Sequence, residues 1–75
     1  MTTVKFTAQL GTRGSVKVFD LRGQLVRTLH TGEYTSQVFT WDGTDNRGAS
    51  VASGVYVIKG VADGQVQTVK AALVK

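Results

Sequence analysis

His30 is the single histidine in a chain of 75 residues. It is the only side chain here whose ordinary titration suits proton transfer near neutral pH. A general base also needs a nucleophile or water in reach and a third group to orient it. The neighbours Leu29 and Thr31 supply neither, so a surface or strand-end histidine is expected. Ser15, Ser36, Ser50 and Ser53 fall in turns or at strand starts, and none sits in a Gly-x-Ser-x-Gly elbow. Their expected work is hydrogen bonding to turn backbone. The chain has no cysteine, which removes a thiol nucleophile, a disulfide framework and a Cys-based zinc site. An enzyme is the least expected outcome, and no cofactor is implied.

The run Asp42-Gly43-Thr44-Asp45-Asn46-Arg47-Gly48 places oxygen-bearing side chains at short spacing before glycine, which is the material of a calcium loop. The run is too short for an EF-hand, has no closing Glu and carries a cation at Arg47. Linked turns are the expected reading: Asp and Asn accept bonds from nearby N–H groups, and Gly or Asn takes the left-handed conformation. The formal charge of +4 raises nucleic acid as a partner. Most Lys and Arg residues fall on the polar parity of strands or in turns, where they also blunt sheet edges. A single-strand binder would set aromatics beside them. Phe6, Phe39 and Trp41 read as buried, which leaves Phe19, Tyr34 and Tyr56, and no nucleic acid is expected. Sugar binding would require Tyr34 or Trp41 to lie flat on the surface.

The elements that position these residues follow from period and punctuation. Hydrophobic residues make up 41% and charged residues 19%, the composition of a folded globular chain with no room for more than one domain, residues 1–75. A chain this short buries only roughly 60% of its unfolded surface, so the core is thin. No apolar run approaches the ~20 residues of a membrane helix, and Met1–Phe6 lacks the apolar stretch of a signal peptide.

Nine glycines and no proline cut the chain into pieces with strand spacing. Val4, Phe6, Ala8 and Leu10 alternate with polar residues and predict a strand over Thr3–Leu10, followed by a turn at Gly11–Gly14. Ser15–Leu21 and Gln24–His30 predict a hairpin about Arg22-Gly23, with a loop at Thr31–Thr35. Ser36–Asp42 carries Phe39 and Trp41 at one parity, and both rings are expected in the core. Gly43–Ser53 is polar. Gly54–Val61 is apolar on both parities and predicts a central strand. Asp63-Gly64 signals a two-residue hairpin into Val66–Val74, where broken parity at Val66 predicts a bulge near Gln67. The sum is all-β: a small antiparallel immunoglobulin or fibronectin III-like β-sandwich of six to seven strands, with a five-stranded barrel as the alternative.

Two stretches resemble a known family. Val16-Lys17-Val18-Phe19-Asp20-Leu21-Arg22-Gly23-Gln24-Leu25-Val26-Arg27-Thr28-Leu29 is similar to the V-x-V-Y-D-x-x-G-x-x-V-x-T-L hairpin of bacterial C-terminal modules. Thr40-Trp41-Asp42-Gly43-Thr44-Asp45-Asn46-Arg47-Gly48, continued by Val51-Ala52-Ser53-Gly54-Val55-Tyr56, is similar to their W-D-G-x-D-x-x-G-x-x-V-x-S-G-x-Y signature. Together they resemble the immunoglobulin-like domain of flagellar hook-capping proteins and the related type IX secretion C-terminal sorting domain. Lys70–Lys75 resembles the closing K-x-x-x-V-K of the latter. Phe19 stands where Tyr is common, and Ala71-Ala72 replaces a bulkier pair.

The resemblance implies a non-catalytic sorting or surface-attachment module of a secreted or cell-surface bacterial protein. Its partner would be protein, from secretion or assembly machinery, with Lys70 and Lys75 as contacts. The alternatives are a structural module of a flagellar hook cap or surface fibre, and a carbohydrate-binding module. Trp41, Asp42, Gly43, Gly48, Gly54 and Tyr56 then form a structural signature: a ring between sheets, turn-makers, and a glycine that lets the chain re-enter the sheet.

Overall fold

The computed structural model describes residues 1–74. Six strands follow in order: β1 (Thr2–Lys5), β2 (Arg13–Phe19), β3 (Leu25–Glu33), β4 (Val38–Trp41), β5 (Gly54–Ala62) and β6 (Gln65–Leu73). They form two antiparallel sheets, β1-β4 and β3-β2-β5-β6, with no helix among the described residues. This is the small immunoglobulin-like sandwich that the alternating pattern predicted. Alternation makes one face of each strand apolar, and two such faces are buried only against each other. Val4, Phe6 and Ala8 meet Val16, Val18, Tyr56, Ile58, Ala71 and Leu73 across the interior, with Trp41 and Tyr34 closing its two ends.

β5 is central, lying between β2 and β6. The β5–β6 hairpin turns through Asp63 (φ 49°) and Gly64 (φ 76°), two left-handed residues in succession that match the twist of the paired strands. The expected bulge near Gln67 is absent, because the register runs unbroken from Gly54↔Leu73 to Ala62↔Gln65. Gln67 instead shares the inward parity of Val69 and Ala71. Its side-chain amide accepts from Thr7 N–H at 3.1 Å and donates to Thr7 C=O at 2.7 Å, completing the edge of the first sheet as a neighbouring strand would.

The irregularity lies in β3. Register shifts opposite Val16/Lys17 and Val18/Phe19 leave Leu29 and Val26 without a partner in β2. Two bulges explain the imperfect alternation of this segment and let both residues pack toward the core. They also realign the chain, so Thr31–Glu33, expected as loop, continue β3 opposite Ser15, Gly14 and Arg13. The first strand is shorter than its alternation: pairing ends at Lys5, although Phe6 N–H still donates to Gln37 C=O at 2.9 Å. Leu10, expected inward, is 59% exposed, because the chain has turned over Gln9–Thr12 by then. Gly14, expected in that turn, already belongs to β2.

Candidate functional site

The signature residues gather at one end of the sandwich. Trp41 ends β4 fully buried, and its indole N–H donates to Thr44 C=O at 2.8 Å. Tyr56, near the start of β5, meets it edge-on with centroids 5.0 Å apart. The Tyr56 hydroxyl donates to Ala52 C=O at 2.6 Å, a bond to backbone just upstream that ties the entering chain to the strand. Gly43 has φ of +80°, and a Cβ there would stand 3.1 Å from the Leu73 side chain, so both conformation and space select glycine. Gly54 differs from the expectation attached to it: it has ordinary φ, and a Cβ would meet nothing within 4 Å.

The polar loop between β4 and β5 uses its oxygens internally. Asp42 Oδ1 accepts from the Thr44 hydroxyl and from Thr44 N–H. The Thr44 hydroxyl bond holds the Asp42 carboxyl below its ordinary range. Asp45 Oδ1 accepts from Arg47 N–H at 2.9 Å and Ala49 N–H at 3.0 Å. Those backbone donors, Ala49 first, hold its carboxyl low as well. Arg27 reaches from β3 to donate to Thr44 Oγ1 at 2.9 Å and to Asp45 C=O. Asn46 Oδ1 accepts from Thr28 N–H at 2.9 Å, which straps the loop to the edge of β3. Among the described residues no group of three His, Cys, Asp or Glu converges as metal ligands.

A second turn repeats this chemistry beside the first. Asp20 Oδ1 accepts from Arg22 N–H and Gln24 N–H, both at 2.9 Å, and Gly23 N–H returns to Asp20 C=O at 3.1 Å. Asp45 and Gly48 make the same set of bonds. The shared text is Asp-x-Arg-Gly at 20–23 and at 45–48, a signal present in the sequence that motif reading passed over. The two turns flank an open depression of about 300 Å³ lined by Asp20, Gln24, Asp45, Asn46 and Arg47 with apolar Leu25, Val26 and Val51.

Other candidates lie elsewhere. His30 is half-buried and is not a strand-end residue. It lies within β3 opposite Val16, with its ring 5.1 Å from Tyr34 and 5.6 Å from Phe39, and its buried Nε2 has no partner. Tyr34, expected exposed, is 1% exposed, and its hydroxyl faces Val61 C=O at 2.8 Å and Ser15 C=O at 2.9 Å. Burial pushes its phenol above the ordinary value. The route to sugar binding through a flat surface ring is closed, because Tyr34 and Trp41 are both interior. Lys70 is exposed on β6 opposite Val57, far along the chain from the signature loop. Lys75 lies outside the described residues.

The FlgD Ig-like domain is the family whose sequence model matches, over residues 2–67. The chain belongs to this family. The match supports the hook-capping part of the resemblance, and nothing in it bears on the sorting-domain part. No significant match appears among curated proteins or solved structures. In this FlgD Ig-like domain, the Trp41–Tyr56 end holds buried rings whose N–H and O–H groups donate to backbone carbonyls of the chain.

Proposed function

We propose that residues 1–75 act as one non-catalytic, protein-binding module of a bacterial flagellar hook-assembly protein, working outside the cell or at its surface. One observation carries this reading beyond the family match. Asp42 and Asp45 of the signature loop close on the backbone of that loop, and Phe6, Tyr34, Trp41 and Tyr56 are buried, so contact with a partner falls to the outside of the sheets. In-frame deletion of the domain from its parent gene tests this, with hooks counted by electron microscopy. Loss of hooks with the parent protein still present is expected, and hooks of normal number and length would overturn the reading.

A second reading, a C-terminal sorting or attachment signal contacted through Lys70 and Lys75, draws on the exposure of Lys70 on the last strand. Fusing residues 1–75 to an inert reporter in a type IX-competent host separates the two. Export of the reporter favours sorting, and retention in the cell removes it.

A further inference from the structure

We propose that the outward face of the four-stranded sheet is the docking surface, and that its partner is an acidic polypeptide with an apolar centre. This rests on the assembly reading and names the chemistry of the partner. Val16 and Val18 of β2, Ile58 of β5 and Ala71 of β6 point inward, so the alternate residues form the outer face. The register sets Lys17 directly opposite Lys59. Lys59 pairs with Thr68, and Lys70 sits two residues further along β6 opposite Val57, diagonal to Lys59.

Directly opposed Cβ atoms stand about 4.5–5.5 Å apart and diagonal ones about 7–8 Å, and like charges so placed repel. A solvated sheet face normally intersperses the two signs. Here three of the five carboxylates are elsewhere, Asp63 in a turn and Asp42 and Asp45 in the signature loop; Glu33 lies at the far end of this face opposite Arg13, and Asp20 borders it with Oδ1 already accepting from Arg22 and Gln24 N–H. None shares a row with the three lysines.

Next to the lysines is an apolar floor. Phe19 lies opposite Val57, both half-buried, in an open depression of about 380 Å³ bordered by Asp20, Leu21 and Lys59. An apolar centre with a charged rim is the anatomy of a protein contact. Carboxylates on the partner would relieve the lysine repulsion while apolar side chains cover Phe19 and Val57. Nucleic acid fits less well, because Phe19 alone offers a ring on this face and it is half-buried.

The test is an amide NMR titration of the chain with the peptide Glu-Glu-Glu-Phe-Leu-Glu-Glu-Glu, its Lys-for-Glu counterpart and a thymidine dodecamer. Shifts centred on Lys17, Phe19, Val57, Lys59 and Lys70 with the acidic peptide, and none with the basic one, are expected. Lys59→Glu should weaken binding about tenfold, whereas Lys5→Glu, which removes the same charge from the exposed side of β1, should leave it unchanged. No binding at millimolar peptide, shifts centred elsewhere, equal loss in the Lys5 variant, or tighter binding of the dodecamer would each overturn the proposal. Spectral dispersion of each variant reports its fold. The hook-deletion experiment stands apart: a wild-type result there sinks the assembly reading, while an unresponsive face sinks only this one.

Discussion

The two ends of the sandwich satisfy their polar groups in different ways. At the signature end most partners are close in sequence, although Arg27 and Thr28 of β3 also reach the loop. Trp41 donates to Thr44, Tyr56 to Ala52, Asp42 accepts from Thr44 and Asp45 from Ala49, none more than four residues apart. At the other end they are distant. Tyr34 reaches Ser15 and Val61, 19 and 27 residues away, Gln37 reaches Ala8, 29 away, and Gln67 reaches Thr7, 60 away. His30 Nε2, inside the same aromatic cluster, reaches nothing. The first end can form most of its bonds as soon as its loop closes. The second requires that both sheets already be in place, so its bonds hold the tertiary arrangement together.

The largest effect should come from Trp41→Ala. Emptying the fully buried indole site should cost about 3–5 kcal/mol, a large share of the stability of so small a domain. Urea unfolding checks it, and a midpoint within error of the parent would refute the central role of that ring.

The two glycines Gly60 and Gly54 sharpen the contrast between ends. A Cβ at Gly60 would stand 2.9 Å from the Phe6 ring, whereas one at Gly54 meets open space. Gly60→Ala should therefore destabilise by about 1–3 kcal/mol through overpacking. Gly54→Ala should stay within about 0.5 kcal/mol of the parent. If the order is reversed, the importance of Gly54 lies in its place in the signature and not in local packing.

Hydroxyl removal compares the tyrosines directly. Tyr34→Phe leaves two interior carbonyls facing no donor from that ring and should cost about 1–3 kcal/mol. Tyr56→Phe removes one local bond and should cost about 0.5–1.5 kcal/mol. Thermal melts of the pair decide whether the distant bonds carry more stability than the local one. His30→Phe keeps a ring against Tyr34 and Phe39 and removes the unpartnered nitrogen, so it should raise stability by about 1 kcal/mol. Loss of stability in that variant would mean that the nitrogen has a partner in solution.

The smallest effect belongs to pH. Asp42 and Asp45 are held below their ordinary range by the bonds they accept in the fold. Their contribution is therefore fully present above the unfolded aspartate value of about 4 and lost as pH falls through the lower folded values. Melting temperature should decline below about pH 4, and Asp45→Asn should make that decline shallower. An unchanged slope would place the acid sensitivity elsewhere.

How much of this was legible in the sequence follows the same division between local and distant bonds. Alternation marked the buried faces of β1, β2 and β6, because side-chain direction in a strand is set residue by residue. Asp63-Gly64 announced its hairpin, and the aspartates and glycines of 42–48 announced linked turns, because those conformations are decided by the residues that adopt them. The repeated Asp-x-Arg-Gly text was equally local and could have been read.

Tertiary structure alone decided the rest. It extended β3 through Thr31–Glu33, placed two bulges there and none near Gln67, and drew Tyr34 inside. It also set Phe6 against Gly60 and aligned Lys17 with Lys59. Each of these depends on strand register between segments far apart in the chain. Register is settled by the simultaneous packing of both sheets, and no single stretch of residues carries that information.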